Sequence, residues 1–211
     1  MTDQRPYATL LAKGEDRKQR ILAVAKRLLA RNGGRGTTLG QIAQEAGVSP
    51  AGLLHHFESK EQLLHAVLDA RDADDDANAD RTGDILEEIE RVTERFRRSP
   101  DMIGTFTVLL SENLDPEAPL HNRFLLRYRS AVDIIAGGIK RGQRDGRYRD
   151  DVDAAVKATE IVAFLYGMEM SWLLDPTIPL TEVFREYTTS LARQLTIPAP
   201  PDPPPPHTPQ P

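Results

Sequence analysis

The stretch TLGQIAQEAGVSPAGLLHHFESK, residues 38–60, decides how the chain is read. It spells two short helices joined by a tight turn, with a third helix starting at its end. Thr38 and Gln41 form an S/T-x-x-E/Q capping box, in which the hydroxyl and the side-chain amide each satisfy an orphan backbone N–H. Ile42, Ala43 and Ala46 then fall on one face of the first helix. Gly47 stands where the chain must turn sharply, and the pattern predicts a positive φ there, which glycine adopts without strain. Ser49 is placed to cap the second helix, and Pro50 takes its first turn, where a missing N–H costs nothing. This is a helix-turn-helix pattern, whose natural partner is the major groove of double-stranded DNA.

Charge agrees with that partner only when it is read by segment. The 211-residue chain carries a net charge of −5, yet residues 1–60 hold ten Lys/Arg against five Asp/Glu. The head is therefore +5 and the remainder −10. A basic head on an acidic body fits a DNA-reading part attached to something with another job. Hydrophobic residues make up 39% of the chain, enough to bury a core. The sequence contains no cysteine, which removes disulfides, zinc-finger ligation and thiol redox sensing. No apolar run approaches the ~18 residues of a membrane span, and the polar N-terminus has no signal-peptide core. A cytoplasmic protein with no membrane partner is expected.

Along the chain, residues 1–14 are expected to form a flexible arm, with Arg5 and Lys13 as candidate phosphate contacts and a frayed terminus as the plainer reading. Residues 15–60 make the DNA-binding head. Its first helix carries Ile21, Leu22, Ala25, Leu28 and Leu29 at helical spacing and ends at Gly33-Gly34. Residues 61–195 make a helical body. Ser59 and Gln62 form a second capping box, opening a helix with Leu63, Leu64, Val67 and Leu68 that should run into the acidic segment 69–80. The aspartates there lack EF-hand spacing, so a solvated face or a joint is expected and no metal is called for. Further helical periods follow at 85–96, 102–114, 124–142, 152–174 and 181–195, with Asp150 or Asp151 as the N-cap before the fourth. Gly137-Gly138 suggests close helix packing. No β-alternating run of useful length occurs, so the fold class is all-α: a three-helix helix-turn-helix domain plus a larger helical domain for ligand binding and dimerisation. Residues 196–211 hold nine of the sixteen prolines and read as an extended, disordered tail.

The segment TTLGQIAQEAGVSPAGLLHHFESKEQLL, preceded by LLARNGG, resembles the N-terminal domain of the tetracycline-repressor (TetR) family of transcription regulators. The likeness covers residues 15–70. Ala43, Gly47 and Val48 at the turn, Gly52, Leu53, His56 and Phe57 in the recognition helix, and the following Ser59, Lys60 and Glu61 all fall in register. The pattern GMEMSWLLDP, residues 167–176, is similar to the penultimate helix of many members. The resemblance implies a homodimer that represses transcription from a palindromic operator and is released by a small molecule held in the body. Two positions depart from the family. Leu54 stands where a tyrosine is common, which removes a phosphate-contacting phenol, and Gly40 stands where a base-reading side chain near the start of the second helix is common. The operator sequence therefore does not carry over from a relative.

The expected DNA-binding residues are Thr38, Gln41, Ser49, Pro50, Ala51, Gly52, Leu54, His55, His56 and Lys60. The helix from Pro50 to Phe57 lacks Arg, Lys, Asn and Gln, the usual readers of G and A. Ala51 and Leu54 suit thymine methyls, Gly52 permits close backbone approach, either histidine can donate to a phosphate or a base, and Thr38 and Lys60 suit phosphates. Of the two histidines, one is expected to pack inward. The spacing predicts an affinity dominated by backbone contacts, with dimer spacing supplying much of the specificity. In the body, Phe106, Phe124, Tyr128, Phe164, Tyr166, Met168 and Trp172 are candidates to line a pocket for an unknown small-molecule effector, ordinary core being the alternative for each. Helices 152–174 and 181–195 are the expected dimer surface. No G-x-S-x-G elbow, Walker loop, dinucleotide fingerprint or H-E-x-x-H occurs, so neither catalysis nor a cofactor is expected. An alternative stays open, in which the body only dimerises and the protein binds DNA without a ligand, or activates.

Overall fold

The computed structural model describes residues 5–78 and 83–196, of which residues 5–12 are described by backbone alone. Helices α2 (Leu39–Glu45) and α3 (Pro50–His56) form where the caps demand them. Thr38 Oγ1 accepts from Gln41 N at 3.2 Å while Gln41 Oε1 accepts from Thr38 N at 2.9 Å, and Ser49 Oγ accepts from Gly52 N at 3.0 Å. Gly47 has φ 65°, and its turn is closed by Val48 N donating to Ala43 O at 3.0 Å. Ile42, Ala43, Leu53 and Phe57 pack on Ile21, Ala25 and Leu29 of α1 (Arg5–Gly36) and on Leu63 and Val67 of α4 (Lys60–Asn78). Each of the larger buried side chains here contributes about 1.5–3 kcal/mol relative to exposure, and Phe106, Leu109, Leu120 and Phe124 from beyond the head enter the same core.

The body consists of α5 (Ile85–Arg98), α6 (Pro100–Glu112), α7 (His121–Arg144), α8 (Ala154–Leu174) and α9 (Leu180–Leu195). Among the described residues there is no strand, only an isolated bridge between Tyr148 and Thr196. Phe96, Ile103, Ile139, Ile161, Phe184 and Leu191 centre the second core. Helix α6 belongs to both cores: Ile103 faces the body, whereas Phe106 and Leu109 join the cluster of the head. It crosses α1 closely. Thr105 Oγ1 donates to Lys26 O at 2.7 Å, and a Cβ on Gly104 would sit 3.1 Å from the Ala30 Cβ.

Several local expectations are corrected. Residues 5–14, expected in a mobile arm, are the opening turns of α1, because Pro6 suits a first turn and Ala8, Leu10, Leu11, Ala12 and Lys13 are strong helix formers. The helix breaks at Gly33 as expected, with φ 71° and ψ 176°, then makes one more turn to Gly36. In the second capping box Ser59 Oγ accepts from Gln62 N at 3.1 Å, but Gln62 Oε1 takes the N–H of Glu58. The N-cap of α8 is Asp153, not Asp150 or Asp151, since its carboxylate is the one that reaches Ala155 N and Val156 N. The tight glycine in α7 is Gly142, where a Cβ would overlap the Tyr148 ring, while Gly138 has only ordinary contact with Ile85. The proline-rich segment after Thr196 lies outside the described residues.

The acidic run is the largest correction, because it is neither a solvated face nor a loose joint. Asp72 is paired with Arg123 and Arg127 of α7, and Asp75 with Arg127 and, at 3.0 Å, with Arg95 of α5. Arg71, 3% exposed, donates to Glu169 of α8 at 2.7 Å, and Arg95 donates to the same Glu169 oxygen at 2.9 Å. Burial pushes the Asp75 carboxyl up, but Arg95, Arg71 and Arg127 outweigh it and hold the group below the ordinary carboxylate range. Helix α4 is thus fastened to three helices of the body, α5, α7 and α8, by ionic contacts.

Candidate nucleic-acid interface

The helix-turn-helix presents a small outer face, and α3 carries no Arg or Lys on it. Leu53 and Phe57 anchor α3 inward, which leaves Ser49, Pro50, Ala51, Leu54 and His55 exposed to solvent. Gly52 and His56 are half-buried, and Lys60 lies at the start of α4 with its side chain partly exposed. Thr38, Gly40 and Gln41 are exposed on α2 beside them. The ten sequence-predicted residues therefore share the surface of one compact unit. Gln41 has divided duties: Oε1 is held by the cap, while the residue remains exposed. The two histidines meet edge to face with ring centroids 5.6 Å apart. His56 is the one that packs inward. Burial, helped by His55, Arg17 and Lys18, lowers its pKa, so it stands neutral at pH 7 in the free protein.

The caps give this surface its shape, and they can be tested apart from any DNA contact. Thr38→Ala is expected to lower the unfolding free energy by about 1 kcal/mol, whereas Thr38→Ser keeps the cap and should stay near wild type. Urea midpoints for the two variants check this; equal losses would show that the methyl group matters and the hydroxyl does not.

Two further features bear on how the head is held. Glu112, at the end of α6, accepts from Gly34 N at 2.7 Å and Arg35 N at 3.4 Å. Thr37, fully buried, donates to Gly33 O at 2.8 Å immediately before α2 begins. A body carboxylate thus sits on the backbone of the residues that lead into the helix-turn-helix. Nothing local in the sequence marks this contact, since its partners are far apart along the chain.

The candidate pocket residues of the body form two groups. Phe106 and Phe124 are buried and edge-on at 5.4 Å, with Tyr166 at 5.7 Å from Phe106 and Tyr128 at 6.5 Å from Tyr166. Phe164 stacks on Tyr187 at 3.6 Å, and Trp172 lies edge-on to Phe96 at 5.5 Å. Met168 packs at the margin of this second core. Open clefts lie elsewhere: one of about 340 Å³ at the junction of α1, α4 and α6, and one of about 430 Å³ between α4 and α7. Helix α8 is apolar on both sides. Ala158, Ile161 and Val162 face the core, while Val156, Met170 and Leu174 are 65%, 59% and 88% exposed on the outside. Among the described residues no helix is long and apolar enough to cross a membrane.

A basic head that presents a capped helix-turn-helix, carried on an all-helical body, defines a DNA-binding transcription regulator. Comparison with known proteins places it more closely. Residues 21–67 match the family model for bacterial regulatory proteins of the tetR family. The chain is 28% identical over 156 residues to the transcriptional repressor AcnR of Corynebacterium diphtheriae, covering 72% of this chain and 78% of that one. It is 24% identical over 177 residues to the transcriptional regulator TtgR of Pseudomonas putida, covering 77% and 82%. In fold it is similar to a TetR-family regulator from Agrobacterium tumefaciens, with TM-score 0.71 and 21% identity over 87% of this chain and all of that one. It is also similar to NalD of Pseudomonas aeruginosa, the secondary repressor of a multidrug efflux pump, with TM-score 0.67, 19% identity and 87% and 97% coverage. The family-model match and the curated relatives indicate a transcription regulator of the tetR family.

Proposed function

We propose that the protein is a homodimeric repressor that binds a palindromic operator through residues 38–60 and is released by a small molecule bound in its body, residues 61–195. The observation that carries the reading is the outward face of α3, fixed by Leu53 and Phe57 and bounded by the exposed Thr38 and Lys60. In this reading Ala51 and Leu54 pack on thymine methyls, and Gly52 lets the backbone approach. His55 and the Gln41 amide donate to bases or phosphates, and Thr38, Ser49 and Lys60 hold phosphates, with Pro50 stiffening the first turn. With so few polar readers, two recognition helices about 34–36 Å apart supply much of the specificity. The exposed outer stripe of α8, Val156, Met170 and Leu174, favours burial against a second copy, since apolar patches of this kind mark interaction surfaces.

Footprinting on DNA flanking the gene tests the reading directly. Protection is expected over two half-sites roughly one helical turn apart, with affinity falling steeply as salt rises. Lys60→Gln should flatten the salt slope by about one per recognition helix and leave sequence preference unchanged. Met170→Glu is expected to yield a folded monomer by sedimentation that no longer protects both half-sites. A monomeric wild type, or a Met170→Glu dimer with intact protection, overturns the assignment of this face.

A further inference from the structure

Among the described residues Arg71 leaves the most buried side-chain nitrogens without a hydrogen-bond partner. It is 3% exposed, yet its Nη1 and Nε have no hydrogen-bond partner; only Nη2 is used, on Glu169. Nε lies 3.6 Å from Asp75 Oδ2, an ionic contact too long for a hydrogen bond. Buried polar groups are normally paired, so a guanidinium left with open donors marks a place where an acceptor belongs. Its surroundings are aromatic. The Arg71 guanidinium carbon stands 3.7 Å from the centroid of Phe106, and Phe124 and Tyr166 pack edge-on against that same ring, with Tyr128 beyond Tyr166.

The charge count around it points the same way. The network members less than a third exposed are four guanidiniums, Arg71, Arg95, Arg123 and Arg127, against three carboxylates, Asp72, Asp75 and Glu169. Asp69, the fourth acid in contact, is 63% exposed and touches Arg123 alone. Arginine cannot shed its proton to relieve the excess. Among these less exposed groups guanidiniums outnumber carboxylates by one, Asp69 supplying the fourth acid from the surface. An open cleft lies nearby: Arg127 lines the 430 Å³ space between α4 and α7, and its guanidinium lies 5.6 Å from the Phe106 centroid. Arg127 thus borders both the open cleft and the ring that covers Arg71.

From these observations we infer that the effector is an aromatic or flat apolar molecule bearing a carboxylate, whose oxygen takes Arg71 Nη1 while its ring replaces Phe124 and Tyr128 contacts beside Phe106. A buried carboxylate on an arginine gains a charge-assisted bond that a neutral analogue lacks, and flat apolar walls hold the rest of the ligand. The inference rests on the ligand-released reading above and names the chemistry of that same site.

The test titrates the full-length protein with phenylacetate, phenylpropanoate and naphthoate, each beside its primary amide, by calorimetry and thermal unfolding at neutral pH. At least one acid should raise the melting temperature and bind roughly tenfold or more tighter than its amide, as loss of a buried charge-assisted bond requires. In Arg71→Met the ratio of acid to amide affinity should fall to about one with the amide unchanged, and Arg71→Lys should keep part of the preference. The wild-type comparison needs no variant, so a misfolded Arg71→Met would not shield the inference. Acids and amides binding alike, or no acid in the series binding, overturns it. Operator release by amides as well as acids would sink the carboxylate and spare the release. Acids that bind through Arg71 without changing operator affinity would do the reverse.

Discussion

Replacing Glu169 by Gln is expected to lower the unfolding free energy by about 3–5 kcal/mol, the cost of breaking a buried ion pair by removing one partner. Glutamine keeps the volume and one acceptor oxygen, so packing is nearly unchanged and the effect isolates the charge. Two guanidiniums depend on that charge. Arg71 Nη2 and Arg95 Nη2 both donate to Glu169 Oε1, and Glu169 is 1% exposed. Burial already pulls the Arg71 pKa down, with Glu169 the leading opposition, whereas in Arg95 burial is outweighed by Glu169 and Asp75 together. Arg71 therefore suffers more from the change. An Arg71→Met/Glu169→Leu double variant should be less damaged than Glu169→Gln alone, because an apolar pair of similar volume removes both desolvation costs. By contrast, Asp74→Asn breaks an exposed pair with Arg98 and should cost only about 0–1 kcal/mol. Urea unfolding of the four proteins checks the set. A Glu169→Gln loss no larger than that of Asp74→Asn would mean that water screens the cluster.

The same cluster fixes the response to acid. The Asp75 carboxyl has a folded pKa below its unfolded value, so its stabilisation is fully present above about pH 4, the ordinary carboxylate range. It is lost as pH falls below that value through the depressed folded pKa. Acid should therefore release the C-terminal half of α4 from α5 and α7 while the apolar head core, Leu53, Phe57 and Leu63, is untouched by titration.

What could be read from residues alone follows the distance over which each interaction acts. The head was legible because its determinants are local. A cap reaches three residues, as from Thr38 to Gln41, and the turn at Gly47 is a property of one backbone position. Helical periods likewise placed Ile85, Ile89 and Phe96 of α5 and Phe184, Leu191 and Leu195 of α9 on buried faces. The ionic cluster was not legible, because Asp72 and Arg123 are brought together only by the packing of α4 on α7. Two signals were nevertheless present. Glu169 is a lone acid in the apolar run GMEMSWLL, seven residues after the buried Val162 and so on the same face. Asp69, Asp72 and Asp76 recur at helical spacing on α4, and Arg123 and Arg127 at a matching interval on α7. The start of α1 was missed through the weight given to chain ends, although Arg5-Pro6 is a good helix opening. On α2 and α3 the outward positions follow from the buried Ile42, Ala43, Leu53 and Phe57, but the use of Gln41 Oε1 in the cap needed the geometry of Thr38.

Gly33→Ala should couple a stability loss to a loss of operator affinity. Gly33 has φ 71° and ψ 176°, a region essentially reserved for glycine, and an alanine there costs about 1–3 kcal/mol in backbone strain. Its Cβ would also overlap Glu112 Oε1 and stand 3.3 Å from Val108 Cγ1. The carboxylate must then leave the N–H groups of Gly34 and Arg35, which forfeits bonds to a charged acceptor of about 1.5–3 kcal/mol together with the strain. Gly33 O also holds the buried Thr37 hydroxyl at 2.8 Å, one residue before the cap of α2. A shift at Gly33 is therefore passed to Thr38 and to the face that carries Gln41 and α3. Glu112→Gln separates the two causes, since it keeps the glycine conformation and one acceptor, for Gly34 N, and gives up the charge and the longer bond to Arg35 N, costing about 1 kcal/mol. Gly33→Ala is expected to lose operator affinity by about tenfold or more, equivalent to 1.4 kcal/mol, while Glu112→Gln loses little. Urea unfolding and operator titration of both variants decide the matter. A folded Gly33→Ala that binds operator like wild type would show that the junction with α6 supports the head without setting the angle of its helices.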